Sequence, residues 1–577
     1  MDGLPSELTE LNILTLNCWG LLYLSAERTT RLQVIGHTIG STTPTPHIVA
    51  LQECWTQDDY LAIRRATRFI LPYGKFYHSG AFGGGLAILS KWPIEESSMV
   101  QYPLNGRPTA FFRGDWFVGK GVACAKIRFG SGPRDVVEVF NTHTHPSYEH
   151  GTKCTYTAHR LSQAWELSKL LRGAAARGHL VLAVGDFNAT PMSLMHRIVT
   201  SHSTVKDVWR VLHPDSSVGA ADDDLERARR RPVPTAEYNI HENGATSDTV
   251  YNTWRWPKSQ RRLLGKGRQD EWPQIAPDSL DPKGKRLDYI FASSGLAENE
   301  ESDRAWVVHD ARVGMMGRHP ELGCSLSDHF SVEATLVLHR SDPSRPSSSS
   351  PDHYHHHHQQ DRSAQYGHNL SLPGRPAAAV SLAETRATDI PNSDLENGVY
   401  LQSPSTSETH LPAPATKSQT PHAQLQSSYA AQLAAAAQPA AYLPPAAYDE
   451  ILAEIRAYAA REKFQRRWRG IHFATWLAVA VICYIGVWWT PRYVSFILMV
   501  LSSLGLAAGV VDGLIALLFV GAEIRALREF EWEVENARMY ATAAEQTGTG
   551  AGPSSPAAAH EEEPRRSFSR EGSREKS

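Results

Sequence analysis

The chain has 577 residues, with 58 Lys and Arg against 61 Asp and Glu, a net charge of −3 that leaves no global basic field for coating nucleic acid. At roughly 150 residues per domain the length allows at most three or four domains. The six cysteines, Cys18, Cys54, Cys124, Cys154, Cys324 and Cys483, form no close pair, which excludes a disulfide scaffold or zinc-finger pattern and suits a reducing compartment.

Residues 1–10 carry neither a basic start nor an apolar run, so the N-terminal part is expected in the cytosol. From about 10 to 338, short apolar runs predict buried strands at Ile13–Leu16, Ile48–Leu51, Leu86–Leu89, Val136–Phe140, Leu180–Val184, Tyr289–Ala292 and Val332–Leu336. Helical spacing over Tyr156–Leu171 lies between two of them, and the alternation predicts an α/β or α+β layered fold. Part of 213–285, rich in charge, Pro and Gly, reads as a surface insertion. Ser, Pro, Ala, Gln, His and Thr dominate 339–446, which predicts a disordered linker that lets the catalytic domain move away from its anchor. The histidines at 353 and 355–358 read as part of that solvated tract rather than as a metal site.

Two apolar runs follow. Ile471–Trp489 is 19 nearly uncharged residues, and at about 1.5 Å per residue it matches a hydrocarbon core of roughly 30 Å. After Thr490-Pro491-Arg492 comes Val494–Val520, interrupted only by Asp512, so a transmembrane hairpin is expected. Arg456, Arg461, Lys463, Arg466, Arg467 and Arg469 precede the first span and Arg525 and Arg528 follow the second, which puts both ends in the cytosol. The domain plan is therefore 1–338 catalytic, 339–446 linker, 447–470 basic juxtamembrane helix, spans 471–489 and 494–520, and a cytosolic helix with disordered tail over 521–577. Gly505, Gly509 and Gly513 form a smooth stripe for close helix approach, with a homodimer through the second span as one use; Asp512 beside it reads as an interhelical hydrogen bond or a dimer contact.

Polar residues gather at strand ends, where loops carry catalytic groups. Asn17 follows the first strand and Glu53 the second. Asn141 and His143 follow Val-Glu-Val-Phe, and Asp186 and Asn188 stand in Gly-Asp-Phe-Asn. Asp288 opens Asp-Tyr-Ile-Phe, and Asp328-His329 precedes Phe-Ser-Val-Glu-Ala. Hard oxygen donors such as Glu53 and Asn17 suit Mg²⁺. A His with a carboxylate partner can take a proton from water. Amides and a second His can hold phosphoryl oxygens. No nucleophile elbow or HExxH zinc motif is present.

The order Asn17, Glu53, His143, Asp186-x-Asn188, Asp288 and Asp328-His329 resembles the endonuclease/exonuclease/phosphatase superfamily, and within it the neutral sphingomyelinases and fungal inositol phosphosphingolipid phospholipases C. The resemblance covers about 10–338 and the C-terminal hairpin. It implies a DNase I-like four-layer sandwich of two mixed sheets flanked by helices. It also implies Glu53 on Mg²⁺ with Asn17 and Asp328, Asp288 orienting His329 as base, Asp186 placing water, and Asn188 and His143 on phosphoryl oxygens. The segment Pro108–Gly121 reads GxxxxGK, but Gly121 follows the Lys and a strand-like run follows that, which opposes nucleotide binding. The family resemblance instead implies that Asp115 and Lys120 pair near the active site and switch it on. The stretch Ser247–Arg255 also looks like the family, as a lining of the substrate side.

These expectations give a membrane enzyme cleaving sphingolipid phosphodiesters to ceramide, activated by anionic phospholipid such as phosphatidylserine or cardiolipin, with no nucleic-acid partner. The endoplasmic reticulum is the default location, with mitochondria and plasma membrane as alternatives. The rival readings are a nuclease or phosphoinositide phosphatase of the same fold, or an inactive membrane scaffold. The hairpin weighs against the nuclease, and the intact polar set against the scaffold.

Overall fold

The computed structural model describes residues 8–148, 156–266, 269–296, 304–340, 428–429, 432 and 442–547. The histidine tract and nearly all of the expected linker lie outside them, as does 548–577.

Two six-stranded mixed sheets are built. The first contains β1 (Glu10–Asn17), β2 (Ile48–Gln52), β3 (Tyr73–Tyr77), β4 (Leu86–Ser90), β11 (Arg304–Gly314) and β12 (Ser331–Arg340), in the order β11-β12-β1-β2-β4-β3. The second contains β5 (Ile94–Gln101), β6 (Gly121–Arg128), β7 (Val136–His143), β8 (Leu180–Asp186), β9 (Lys206–Asp207) and β10 (Asp288–Ala292), in the order β5-β6-β7-β8-β10-β9. All seven strands expected from apolar runs lie inside these elements. Each sheet has one parallel pair, β1 with β2 and β7 with β8. Such pairs need crossovers, supplied by α1 (Arg28–Ser41) and α3 (Thr157–Ala175).

Three apolar layers hold the sandwich. One lies between the sheets, with Ile13, Ile88, Val139, Val184 and Val332. A second packs α1 and α2 (Gln57–Thr67) on the first sheet through Leu32, Ile35 and Ile63. The third packs α3 and α4 (Leu194–Ser201) on the second sheet through Leu161, Leu167 and Ile198. Helix, sheet, sheet and helix form the expected four layers.

The C-terminal helices differ from the plan. Helix α5 (Pro445–Gly486) runs without a break through the expected juxtamembrane helix and most of the first span. Helix α6 (Arg492–Leu514) passes through a π-turn at Ile515–Phe519 into α7 (Val520–Thr547). Residues of the expected juxtamembrane helix and of the expected helix after the second span are docked: Tyr448, Ile451, Ile455, Leu527, Phe530 and Val534 join the core on α3 and α4. The Tyr448 hydroxyl meets His202 Nε2 at 2.9 Å, and Glu533 accepts from Trp165 Nε1 at 2.6 Å and Lys169 Nζ at 2.8 Å. An apolar stripe at helical spacing is buried by the catalytic layers, so the catalytic domain is held at this end of the hairpin.

Past the dock both helices change solvent. Each is long and apolar enough to cross a membrane, and only 11% and 17% of their most apolar stretches are buried. Trp488, Phe496, Leu504 and Leu517 are exposed, whereas a core helix would hide such groups. By length, composition and exposure the two apolar helices suggest membrane association. The glycine stripe is used inside the hairpin: an added Cβ at Gly505 would stand 2.0 Å from the Trp476 ring, and one at Gly509 2.9 Å from Trp476 Cβ. The stripe is thus in close contact with the first helix of the hairpin. Asp512 pairs with Arg469 and, at 2.7 Å, with His472 Nδ1, so its charge is met across the hairpin.

Candidate active site

Both parallel pairs end at the same edge of the sandwich. In such sheets the crevice beyond the strands' carboxyl ends is where ligands bind. β1 and β2 deliver Asn17 and Glu53; β7 and β8 deliver His143 and Asp186. The antiparallel neighbours β10 and β12 start there, so Asp288 opens one strand and His329 stands two residues before the other. Gly185 permits the convergence, because a Cβ on it would fall 1.9 Å from Thr142 O. Below the crevice, Gln52 Nε2 donates to Asn141 Oδ1 at 2.7 Å and ties the sheets together.

His329 Nδ1 meets Asp288 Oδ2 at 2.8 Å, and the Thr246 hydroxyl donates to the same oxygen at 2.6 Å. Burial opposes charge on His329, but Asp288, Asp186 and Asp328 together raise its pKa well above the ordinary value. Asp186 Oδ1 accepts from Asn188 N at 2.9 Å, and Asn188 Nδ2 donates to Thr144 O at 3.2 Å. His143 Nε2 lies 3.6 Å from Asp186 Oδ2. Burial, with the charges of Lys120 and His329, pushes its pKa down, so it faces the site as a neutral ring.

Glu53 leaves β2 with φ 51°, a left-handed conformation uncommon outside glycine, which aims it into the crevice. Its Oε2 is buried without a hydrogen-bond partner. Burial and the charge of Asp328 raise its pKa to about 7. A buried, orphaned carboxylate oxygen beside a second carboxylate is an environment that a hard divalent cation satisfies. Asn17 stands beside Glu53: its Oδ1 accepts from Trp19 N at 3.0 Å, and its Nδ2 donates to Glu53 Oε1 at 3.1 Å and Asp186 Oδ2 at 3.0 Å. It bridges two carboxylates and does not offer them an oxygen ligand. A second donor group is Asp186, Asp288 and His329, whose ligand atoms lie within 4.8 Å of one another.

Asp115 and Lys120 do not touch. Asp115 Oδ2 accepts from the Tyr148 hydroxyl at 2.9 Å and lies 3.4 Å from His145 Nε2. Lys120 Nζ donates to the carbonyls of His143 and Thr144 at 3.4 and 3.3 Å. The helical turn Asp115–Val118 and the left-handed Gly119 separate them. The direct pair is thus replaced by charge coupling at longer range, and Lys120 also acts on Glu53 and Asp186.

The expected surface insertion is part of the site. Thr246 reaches Asp288, and Ser247 forms isolated bridges with both His329 and Lys285. Asp248 pairs with Arg255 at 2.6 Å and Lys285 at 3.1 Å. Residue-type reading missed Thr246, Gln52 and Ser327; the last donates to Asn17 O at 2.5 Å and adjoins Asp328 in sequence, the one signal that pointed to it.

The profile of the Endonuclease/Exonuclease/phosphatase family matches residues 14–329. The chain is 42% identical over 329 residues to an inositol phosphosphingolipids phospholipase C of Schizosaccharomyces pombe, covering 57% of this chain and 69% of that protein. It is 29% identical over 347 residues to human sphingomyelin phosphodiesterase 2, covering 60% and 69%. The crystal structure of sphingomyelinase C from Streptomyces griseocarneus aligns with TM-score 0.36 at 18% identity, over 57% of this chain and 99% of that one. By the extent of the profile match and the identity to the fission-yeast protein, the chain is a member of the endonuclease/exonuclease/phosphatase family and, within it, of the phosphoric diester hydrolases comprising inositol phosphosphingolipid phospholipases C and neutral sphingomyelinases.

Proposed function

We propose that the chain is a membrane-anchored, Mg²⁺-dependent phospholipase C that cleaves sphingolipid phosphodiesters, inositol phosphoceramide or sphingomyelin, to ceramide and a phosphorylated head group. The observation that carries this reading is the His329–Asp288 contact of 2.8 Å beside Asp186, at the meeting point of both sheets.

Glu53 and Asp328 would hold Mg²⁺, with Asn17 keeping Glu53 in place through its amide. When bound, the ion polarises the phosphodiester and neutralises charge on the leaving oxygen. Because His329 Nδ1 is engaged by Asp288, we assign this pair to proton transfer rather than metal binding. The neighbouring carboxylates favour the imidazolium, so it is the neutral His329 ring, reached once that negative charge is offset and held by Asp288, that takes a proton from water placed with Asp186. The hydroxide attacks phosphorus in line, and the P–O bond to the primary alkoxide of ceramide breaks. Neutral His143 and the Asn188 amide donate to phosphoryl oxygens.

The hairpin anchors the enzyme in the bilayer that holds its two-chain substrate. In this reading both spans cross, and the docked catalytic domain lies in the cytosol with both helix ends, by default on the endoplasmic reticulum. Anionic phospholipid, phosphatidylserine or cardiolipin, acts as activator. Arg456 and Arg469 are taken by Glu531, Glu535 and Asp512, which leaves the exposed Lys463, Arg466 and Arg467 at about 1 kcal/mol each for an anionic surface.

The test supplies inositol phosphoceramide, sphingomyelin and phosphatidylinositol together in mixed micelles with an anionic phospholipid, and identifies products by mass spectrometry. Ceramide formed only with Mg²⁺ is the expected result. No ceramide from either sphingolipid overturns the reading.

A further inference from the structure

A cleft of about 450 Å³ opens between the catalytic domain and the point where the second helix leaves the apolar zone. Its walls include Tyr102, Trp116 and Phe117 on one side and Phe519, Ala522 and Glu523 on the other. The aromatic wall is continuous: Trp116 meets Phe519 at 4.6 Å and Phe117 at 5.2 Å, and Phe117 meets Phe82 at 5.4 Å between ring centroids. None of these groups belongs to the hydrolytic set.

Glu523 is the one charged side chain of the cleft lining, which also carries the amides of Gln101 and Asn105. Glu523 is 5% exposed, and neither carboxyl oxygen has a hydrogen-bond partner. His159 Nε2 approaches only to 3.6 Å. Burial raises the Glu523 pKa to about 8, against the pull of Arg107, the nearby Tyr458 hydroxyl and Arg461. A buried carboxyl without partners costs free energy that a ligand bringing donors recovers. A lipid backbone that offers only ester and phosphate acceptors is the wrong complement. A neutral lipid with neighbouring N–H and O–H groups brings the right one. Pockets for such ligands are apolar with few polar groups, in the range of about 300–1,000 Å³. Phe519 stands next to the last residue of the second apolar run, Val494–Val520, so chains of a bilayer lipid continue past it into hydrocarbon.

We propose that this cleft is a second lipid site, separate from the hydrolytic centre, that takes the amide-and-hydroxyl backbone of ceramide, with Glu523 accepting its hydrogen bonds and Trp116, Phe117 and Phe519 packing the first methylenes. The choice of ceramide rests on the sphingolipid reading above. Both free ceramide and the ceramide part of uncleaved substrate carry this chemistry.

The full chain with His329→Ala, in phosphatidylcholine vesicles, is irradiated with a ceramide carrying a diazirine close to its amide, and labelled peptides are mapped. The background variant makes the result independent of turnover, so a failed activity assay and a failed labelling remain distinct. Labelling is expected on the peptides holding Trp116 and Phe519–Glu523. Glu523→Leu removes the acceptor and should lower it about fivefold, the worth of one net hydrogen bond. Ala522→Trp fills the cleft and should abolish it. Unlabelled ceramide competes, sphingomyelin competing equally marks the shared backbone, and diacylglycerol, which lacks the N–H, competes more weakly. Labelling elsewhere, labelling unchanged in both variants, or equal competition by phosphatidylserine or diacylglycerol overturns the proposal.

Discussion

The Asp288 carboxylate serves His329 and Thr246 through the same oxygen, Oδ2, at 2.8 and 2.6 Å. The other oxygen, Oδ1, is buried without a partner. The ring is therefore oriented by one atom held from two sides. His329→Ala should lower kcat about 10²–10⁴-fold, the usual worth of a positioned base. Asp288→Asn should lower it comparably by misplacing the ring proton. Thr246→Val should cost less and act on kcat rather than KM, because its hydroxyl reaches only Asp288 and the Leu287 N–H, neither of which binds the head group. A Thr246→Val enzyme with normal kcat would exclude Thr246 as a positioning residue.

Glu53 titrates at about 7 in the folded chain and at roughly 4.3 when unfolded. Burial raises Asp186 as well, and Asp288 adds to the rise. The folded state then holds more protons than the unfolded state between these values. Its stability without metal should fall as pH rises from about 4.5 to 7. Mg²⁺ held as proposed would compensate the ionised carboxylates, so the Tm gained on adding it should be larger at pH 8 than at pH 5. Glu53→Gln should flatten the metal-free pH profile and remove most of the Mg²⁺ response. Thermal unfolding with and without chelator at the two pH values measures both.

Much of this site was readable because chain ends of buried strands are marked by an abrupt change from apolar to polar residues. Glu53 after Ile-Val-Ala-Leu-Gln and Asp186 after Leu-Val-Leu-Ala-Val-Gly are such points. Thr246 is not: it sits in a segment without an apolar run and is placed by pairing with distant strands. β5 was missed for a related reason, since Ile94–Gln101 is a mostly exposed edge strand with few apolar residues. For Asn17, residue type says that an amide can ligate but not which end of it faces the site, and the structure shows its Nδ2 bridging Glu53 and Asp186. In the docked helix, composition misled. Arg and Lys dominate the eye, while Ile451, Leu452, Ile455, Tyr458 and Ala459 carry the buried stripe.

The dock makes the catalytic domain depend on the C-terminal helices. Ile455 and Leu527 are fully buried in the core that also holds Leu161 and Ile198. Truncating either to Ala should cost about 2–5 kcal/mol locally. The expected consequence is faster hydrogen exchange in α3 and along Pro445–Gly470, with β1 and β2 unchanged. Exchange confined to the helix termini in both variants would show that the dock contributes little.

Within the hairpin, two glycines of neighbouring helices should respond in opposite ways. A Cβ on Gly505 lands 2.0 Å from the Trp476 ring, whereas one on Gly470 meets nothing within 4 Å. Gly470→Ala should be neutral or stabilising, since Ala gains about 1 kcal/mol over Gly in a helix. Gly505→Ala has the same propensity gain but must displace an indole, and overpacking of this kind costs about 1–3 kcal/mol. The readout is alkylation of Cys483, which is buried in the first helix. Gly505→Ala should speed its labelling in detergent micelles, and Gly470→Ala should not. Adding Trp476→Ala to Gly505→Ala should restore slow labelling if the two residues meet as described, because the added methyl then occupies the space the indole leaves. A double variant that labels as fast as Gly505→Ala alone would mean that the helices separate for another reason.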